Sequence, residues 1–217
     1  TTATAGAQEF VPVLDRLSDR DFYRLVACAA SPGGACRKPI LRWPEGRRAK
    51  LGVALASVAP GVSADRRALF RAGLDAAMTE VNALETGIVL RPARGSRGQI
   101  DIHIVSTPPG EIMRETGVPG LDGTRLPLAR VELRIRDGEI GAAMIAVSAE
   151  VDPAEIASIL LEEIVQALGL VTDIVGPAYG GSIFSETGNS VEKLAGQDAM
   201  ALRRHYAEAP GAPGEEG

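Results

Sequence analysis

This 217-residue chain is poor in the side chains that most often carry chemistry, with two histidines, two cysteines, one tryptophan and 4% aromatic residues. It also lacks an excess of positive charge. Its 23 Lys and Arg stand against 28 Asp and Glu, a net charge of −5, and the arginines are scattered over several expected elements. That distribution argues against a nucleic-acid-binding surface. No apolar run approaches the roughly eighteen residues a transmembrane helix needs; the longest lie near Ala142–Val147 and Ile156–Leu161. No membrane span is expected. Cys28 and Cys36 have no second Cys or His pair beside them, which disfavours a zinc knuckle. They flank the flexible Ser31-Pro32-Gly33-Gly34 stretch, so a small disulfide loop is the preferred reading and two separate buried thiols the alternative. A disulfide would place the protein outside the cytoplasm.

What is present is the 45% hydrophobic content of an ordinary globular core, patterned as a mixed α+β chain. The expected organisation is an N-terminal segment over residues 1–42 with short helices and the Cys loop, a main domain over 43–208, and a disordered Pro/Gly tail over 209–217. The small residues Thr1–Gln8 suit a processed or trimmed chain. Phe10, Val13, Leu14, Leu17, Phe22, Leu25 and Val26 suggest one or two short helices. Leu51, Val53 and Leu55 alternate as in a strand. Ser63 caps a long helix whose apolar stripe runs from Leu69 to Leu84. Ile88–Arg91 and Gln99–Ser106 follow as strands, with Asp101 and His103 sharing the polar face of the second. Trp43 reads as a core plug, and His103 as a solvated or sheet-packed residue.

Residues 107–127 hold four prolines and four glycines, too many breakers for a regular element, so a long functional or mobile loop is expected. A hairpin turning at Asp137-Gly138 then joins Val131–Ile135 to Gly141–Ala149. Asp152 and Pro153 look like the start of the next helix, and Gly169 like its left-handed stop. On this helix Ile156, Ile159, Leu160, Ile164 and Ala167 form one apolar arc, and Glu163 falls inside it. Glu162 and Gln166 sit on its edge at i, i+4 and can reach a common point. A final helix spans Val191–Ala207; His205 near its end would complement the helix dipole as a cation.

The run Glu162-Glu163-Ile164-Val165-Gln166-Ala167-Leu168-Gly169-Leu170, then Ser182-Ile183-Phe184, then Leu194, Asp198, Leu202 and Tyr206, resembles metzincins and above all matrixin-like zinc proteases. Their central helix reads H-E-x-x-H-x-x-G-x-x-H and is followed by a Met-turn and a closing helix. The resemblance covers Trp43 to Tyr206. It implies a zincin-like α+β fold: a mixed twisted sheet packed on a long helix and a central "active-site" helix, with a C-terminal helix. It places Glu163 at the general base and Gly169 at the turn. Glu162, Gln166 and Thr172 stand at the three zinc histidines, with Asp173 one residue beyond, and Phe184 stands at the Met-turn methionine. Every imidazole is replaced. Zinc prefers nitrogen, thiolate or carboxylate donors, so no cofactor is expected, although an oxygen-rich set leaves a weak Ca²⁺-type site open.

The E-E-x-x-Q-x-L-G-L run with the following S-I-F is also similar to an uncharacterised proteobacterial family, domain-of-unknown-function family 2927, whose members are often exported and sometimes lipoproteins. That similarity implies a periplasmic or secreted protein and leaves open a lipid anchor on a removed or upstream N-terminal segment. Three functions follow as expectations. The first is a non-catalytic, pseudo-metalloprotease domain binding a peptide or envelope protein in a cleft between the central helix, the strand Gly141–Ala149 and the turn at Ser182. The second is a hydrolase or peptidase using Glu163 with Glu162, and with Asp173 or His205 as further candidates, with a non-standard metal or none. The third is an envelope or assembly component working through the 107–127 loop or the N-terminal segment. A structural alternative has Glu163 anchoring the Gly-rich 176–182 loop. Whether the chain is an enzyme, and its oligomeric state, stay open.

Overall fold

A computed structural model describes residues 3–5, 9–118, 120–188 and 190–207; the expected tail over 209–217 lies outside them. The fold is mixed α+β. In chain order the elements are β1 (Ala3–Ala5), β2 (Glu9–Pro12), α1 (Asp19–Cys28), a short α2 (Glu45–Arg48), β3 (Leu51–Val58), α3 (Ala64–Asn82), β4 (Leu90–Pro92), β5 (Ile100–Val105), β6 (Ala129–Arg136), β7 (Glu139–Ser148), α4 (Ile156–Ala167), β8 (Thr172–Val175) and α5 (Gly196–Ala207). Six strands form one mixed sheet in the order β1-β6-β7-β5-β3-β4. Pairing is parallel from β7 through β5 and β3 to β4, and antiparallel on the β6 side. β2 and β8 make a separate parallel pair.

Strand alternation sends Ile100, Ile102, Ile104, Leu133, Ile145 and Val147 to one face, where α3 and α4 cover them in the main core. Phe22, Leu25 and Trp43 belong to that same core. The opposite face carries Asp101, His103, Met144 and Glu132 in register across β5, β7 and β6. It would be wet without the 107–127 segment, which folds back on itself through an Ile112–Arg125 bridge and the Met113 N–H to Thr124 carbonyl bond at 2.9 Å. Met113, Val118, Leu121 and Leu126 then pack on Val105, Met144 and Ala146 as a second small core. The expected loop is thus an ordered cover. The four apolar residues it buries follow neither a helical nor a strand period, which hides them from pattern reading.

Other expectations need correction. Phe10–Pro12 is strand, because it pairs with β8; only the residues after Ser18 are helical, and the Ser18 hydroxyl accepts from the Asp21 N–H. α4 starts at Ile156 with Glu155 at its cap, and the Asp152 carboxylate instead accepts from Ala154 N–H in the preceding turn at 2.8 Å. α5 begins at Gly196 rather than Val191. His205 is no surface cation: burial drives its pKa down to about 3, and the neutral ring lies between the Leu41 carbonyl at 2.9 Å and the Tyr23 hydroxyl at 3.3 Å. His103 is buried in the sheet, with Nδ1 2.8 Å from Ser57 Oγ. The preferred disulfide between Cys28 and Cys36, by contrast, is present as expected. No helix among the described residues is long and apolar enough to cross a membrane.

Candidate functional site: a carboxylate pocket on the central helix

α4 is fixed at its C-terminal end, where helix carbonyls have no partner within the helix. The Trp43 indole N–H donates to the Ala167 carbonyl at 2.9 Å and the Tyr206 hydroxyl to the Leu168 carbonyl at 2.6 Å. Gly169 turns the chain with φ of 103°. A Cβ there would collide with the Leu41 carbonyl and meet the His205 ring, so the position demands glycine for both conformation and space. The chain then enters β8 with Thr172 and Asp173 buried.

Asp198, on the inner face of α5, holds the next turn. Its carboxylate accepts from the Ser182 hydroxyl at 2.7 Å and from the Ile183 N–H at 2.9 Å. Burial raises its pKa and these two bonds oppose the rise. Phe184 is buried and meets Phe22 edge-on at 5.8 Å between ring centroids. Beyond it the chain bonds back to β8, with the Ile174 N–H donating to the Phe184 carbonyl at 2.7 Å and the Glu186 N–H to the Ile174 carbonyl at 3.0 Å. Asp198 therefore places Ser185 and Glu186. The Gly-rich loop has this carboxylate as its anchor, and Glu163 makes no bond to it. The sequence held a signal for this: Asp198 is the one acid on the apolar spacing of Leu194, Leu202 and Tyr206, though a role for it could not be read there.

Glu163 projects from α4 with 5% of its surface exposed, and its Oε2 has no hydrogen-bond partner among the described residues. Its pKa is raised well above the usual carboxylate value, first by burial, then by Glu162 and Asp173, with Arg130 opposing. It lines a small open pocket of ≈ 160 Å³ together with Glu155, Glu162 and Glu186. Pro127, Leu128, Ala129 and Ile159 supply apolar walls. Sequence reasoning passed over Glu155, Glu186 and the Pro127–Ala129 wall, because nothing local ties three such distant segments together.

The remaining site residues are dispersed. Gln166 donates from Nε2 to both carboxylate oxygens of Asp173, at 3.2 and 3.4 Å, and is not among the pocket-lining residues. Thr172 is buried, and its Oγ1 has no partner among the described residues. Ser182 and Ile183 lie under the turn against Asp198. Gly141–Ala149 does not border the pocket: β7 is an interior strand between β6 and β5, and the start of β6 with the Ser185–Gly188 segment takes its place. Among the described residues no three His, Cys, Asp or Glu side chains converge as a metal set would. The Gln166 amide is oriented by its NH₂ on Asp173, and a carboxamide would meet a cation only through Oε1.

The geometry is that of an α+β domain with a buried acid, one of whose oxygens has no partner among the described residues, in a pocket on its central helix. The model of a protein family of unknown function, DUF2927, matches residues 22–210, and the chain belongs to that family. No curated protein matches the chain.

Proposed function

We propose that this chain is a non-catalytic, zincin-like domain that binds an extended peptide or a segment of an envelope protein in the cleft beside α4. The observation that carries the reading is the Gln166–Asp173 hydrogen bond at 3.2 Å, which engages the second ligand position of a zinc-protease helix internally. The zincin-like assignment rests on the sequence resemblance and on the order of long helix, central helix, Gly169 turn, Ser182–Phe184 turn and closing helix. It is a fold analogy and supplies no reaction by itself. The donors left by the missing histidines do not fit zinc, and Glu163 then has no metal-bound water to activate. Pro127, Leu128 and Ala129 form an apolar wall beside α4, and an extended peptide can lie along such a wall with alternate side chains in pockets. The Cys28–Cys36 disulfide supports a periplasmic or secreted location.

One observation favours the hydrolase alternative: Glu163 and Glu162 are neighbouring carboxylates, and the raised pKa of Glu163 would suit a general acid. A single experiment separates the two. A randomised hexapeptide pool is incubated with the purified protein and both retained and cleaved peptides are read by mass spectrometry. Retention without cleavage supports the binding domain. Cleavage that disappears in Glu163→Gln establishes the hydrolase instead.

A further inference from the structure

From the pocket's chemistry we infer that it takes one basic side chain, the ammonium of lysine or the guanidinium of arginine, from the peptide that lies in the cleft. This deepens the proposed peptide-binding role and rests on it. Four glutamates, Glu155, Glu162, Glu163 and Glu186, face one opening of ≈ 160 Å³. Carboxylates gathered this way are held against their own repulsion. Three of them stand at the rim, Glu162 half-buried and Glu155 and Glu186 exposed, while Glu163 closes the bottom. The independent observation is the Glu163 Oε2, which sits in a side chain 5% exposed and has no partner among the described residues. A buried acceptor without a donor is costly, and a ligand N–H is the group that would complete it.

Size and wall chemistry narrow the ligand. Pockets for drug-sized molecules begin at about 300 Å³, so this one admits a side chain rather than a cofactor. Its walls are apolar: Ile159 is buried, and Leu128 is 40% exposed at the mouth. An apolar wall above an acidic floor matches a methylene stem ending in a cation. A bare metal ion matches it less well, because the carboxylates are not clustered as ligands. Arg130 is the cation that opposes the rise of the Glu163 pKa. Against the three rim carboxylates of Glu155, Glu162 and Glu186 it leaves the pocket with a net negative charge.

The test uses the full chain, immobilised, with hexapeptide pools in which one position is fixed as lysine, arginine, norleucine or glutamate and the others are randomised. Norleucine keeps the lysine stem and removes the charge. The inference predicts that wild-type protein retains lysine or arginine pools at least tenfold more than norleucine pools. It also predicts that Glu162→Gln/Glu186→Gln, two rim changes that leave the buried Glu163 in place, abolishes the preference while the circular dichroism stays that of the folded protein. Equal retention of norleucine and lysine pools would overturn the basic-residue specificity and leave the peptide-binding role standing. Retention of no pool would overturn both. A lysine preference that survives the double substitution would place cation recognition elsewhere and refute the assignment to this pocket.

Discussion

Replacing Asp198 tests how the pocket wall is held. In Asp198→Ala the Ser182 hydroxyl and the Ile183 N–H lose their acceptor in a place where Ile183 is fully buried. Hydrogen bonds to a charged group contribute about 1.5–3 kcal/mol each. Removing the carboxylate also removes its own desolvation, whose presence is seen in its raised pKa, so the net loss is about 2–4 kcal/mol. In Asp198→Asn, Oδ1 still accepts from Ser182 while an amide NH₂ faces the Ile183 N–H, and the loss is about 1–2 kcal/mol. Because the folded carboxyl holds its proton more tightly than the unfolded one, the wild type's advantage over Asp198→Asn is largest at low pH. It shrinks as pH rises through the folded pKa. Urea denaturation followed by circular dichroism gives the energies, and amide exchange at Ile183 and Glu186 gives the local effect. The reasoning fails if Asp198→Ala unfolds with the wild type and Ile183 stays protected.

Other outcomes follow from the same structure. The Glu163 pKa is raised, so its stabilising contribution is complete below about pH 4.5 and declines by up to about 1.4 kcal/mol per pH unit until the folded carboxyl ionises. Glu163→Gln should therefore gain on the wild type as pH rises, and parallel pH–stability curves would refute the unpaired carboxyl. His205, with its pKa lowered to about 3, must stay neutral in the fold. Stability should fall by up to about 1.4 kcal/mol per pH unit as pH drops from about 6.5 towards that value; His205→Asn should flatten this limb in acid denaturation. The disulfide closes a loop between residues eight apart in sequence, and the loop-entropy relation gives about 2.5 kcal/mol for it. Cys28→Ser/Cys36→Ser should show that loss in urea, and an unchanged midpoint would contradict it.

The elements that could be read from the sequence were those with one apolar face fixed by the main core. Leu51–Val58, Ile100–Val105 and the β6–β7 hairpin alternate because one face meets α3 and α4. Ser63 advertises its cap and accepts from the Arg66 N–H. What stayed hidden was determined by distant partners. Phe10–Pro12 has helix-like spacing, yet it is a strand because β8 lies beside it. Asp152 has the chemistry of a helix cap but serves the turn before the helix. Glu163 could be placed in the apolar arc of α4 from its spacing. The pocket it closes could not, because Leu128 and Glu186 come to it through the sheet and through the turn that Asp198 holds.

The central claim is that the cleft beside α4 binds peptide without cutting it. It is tested most directly by titrating ¹⁵N-labelled protein with a lysine-fixed hexapeptide pool and mapping amide shifts, then checking the same sample for cleavage. The account predicts shifts confined to Leu128–Val131, Ile159–Glu163 and Ser185–Gly188, with intact peptides recovered. Shifts centred elsewhere, or peptide fragments that vanish with Glu163→Gln, would contradict it.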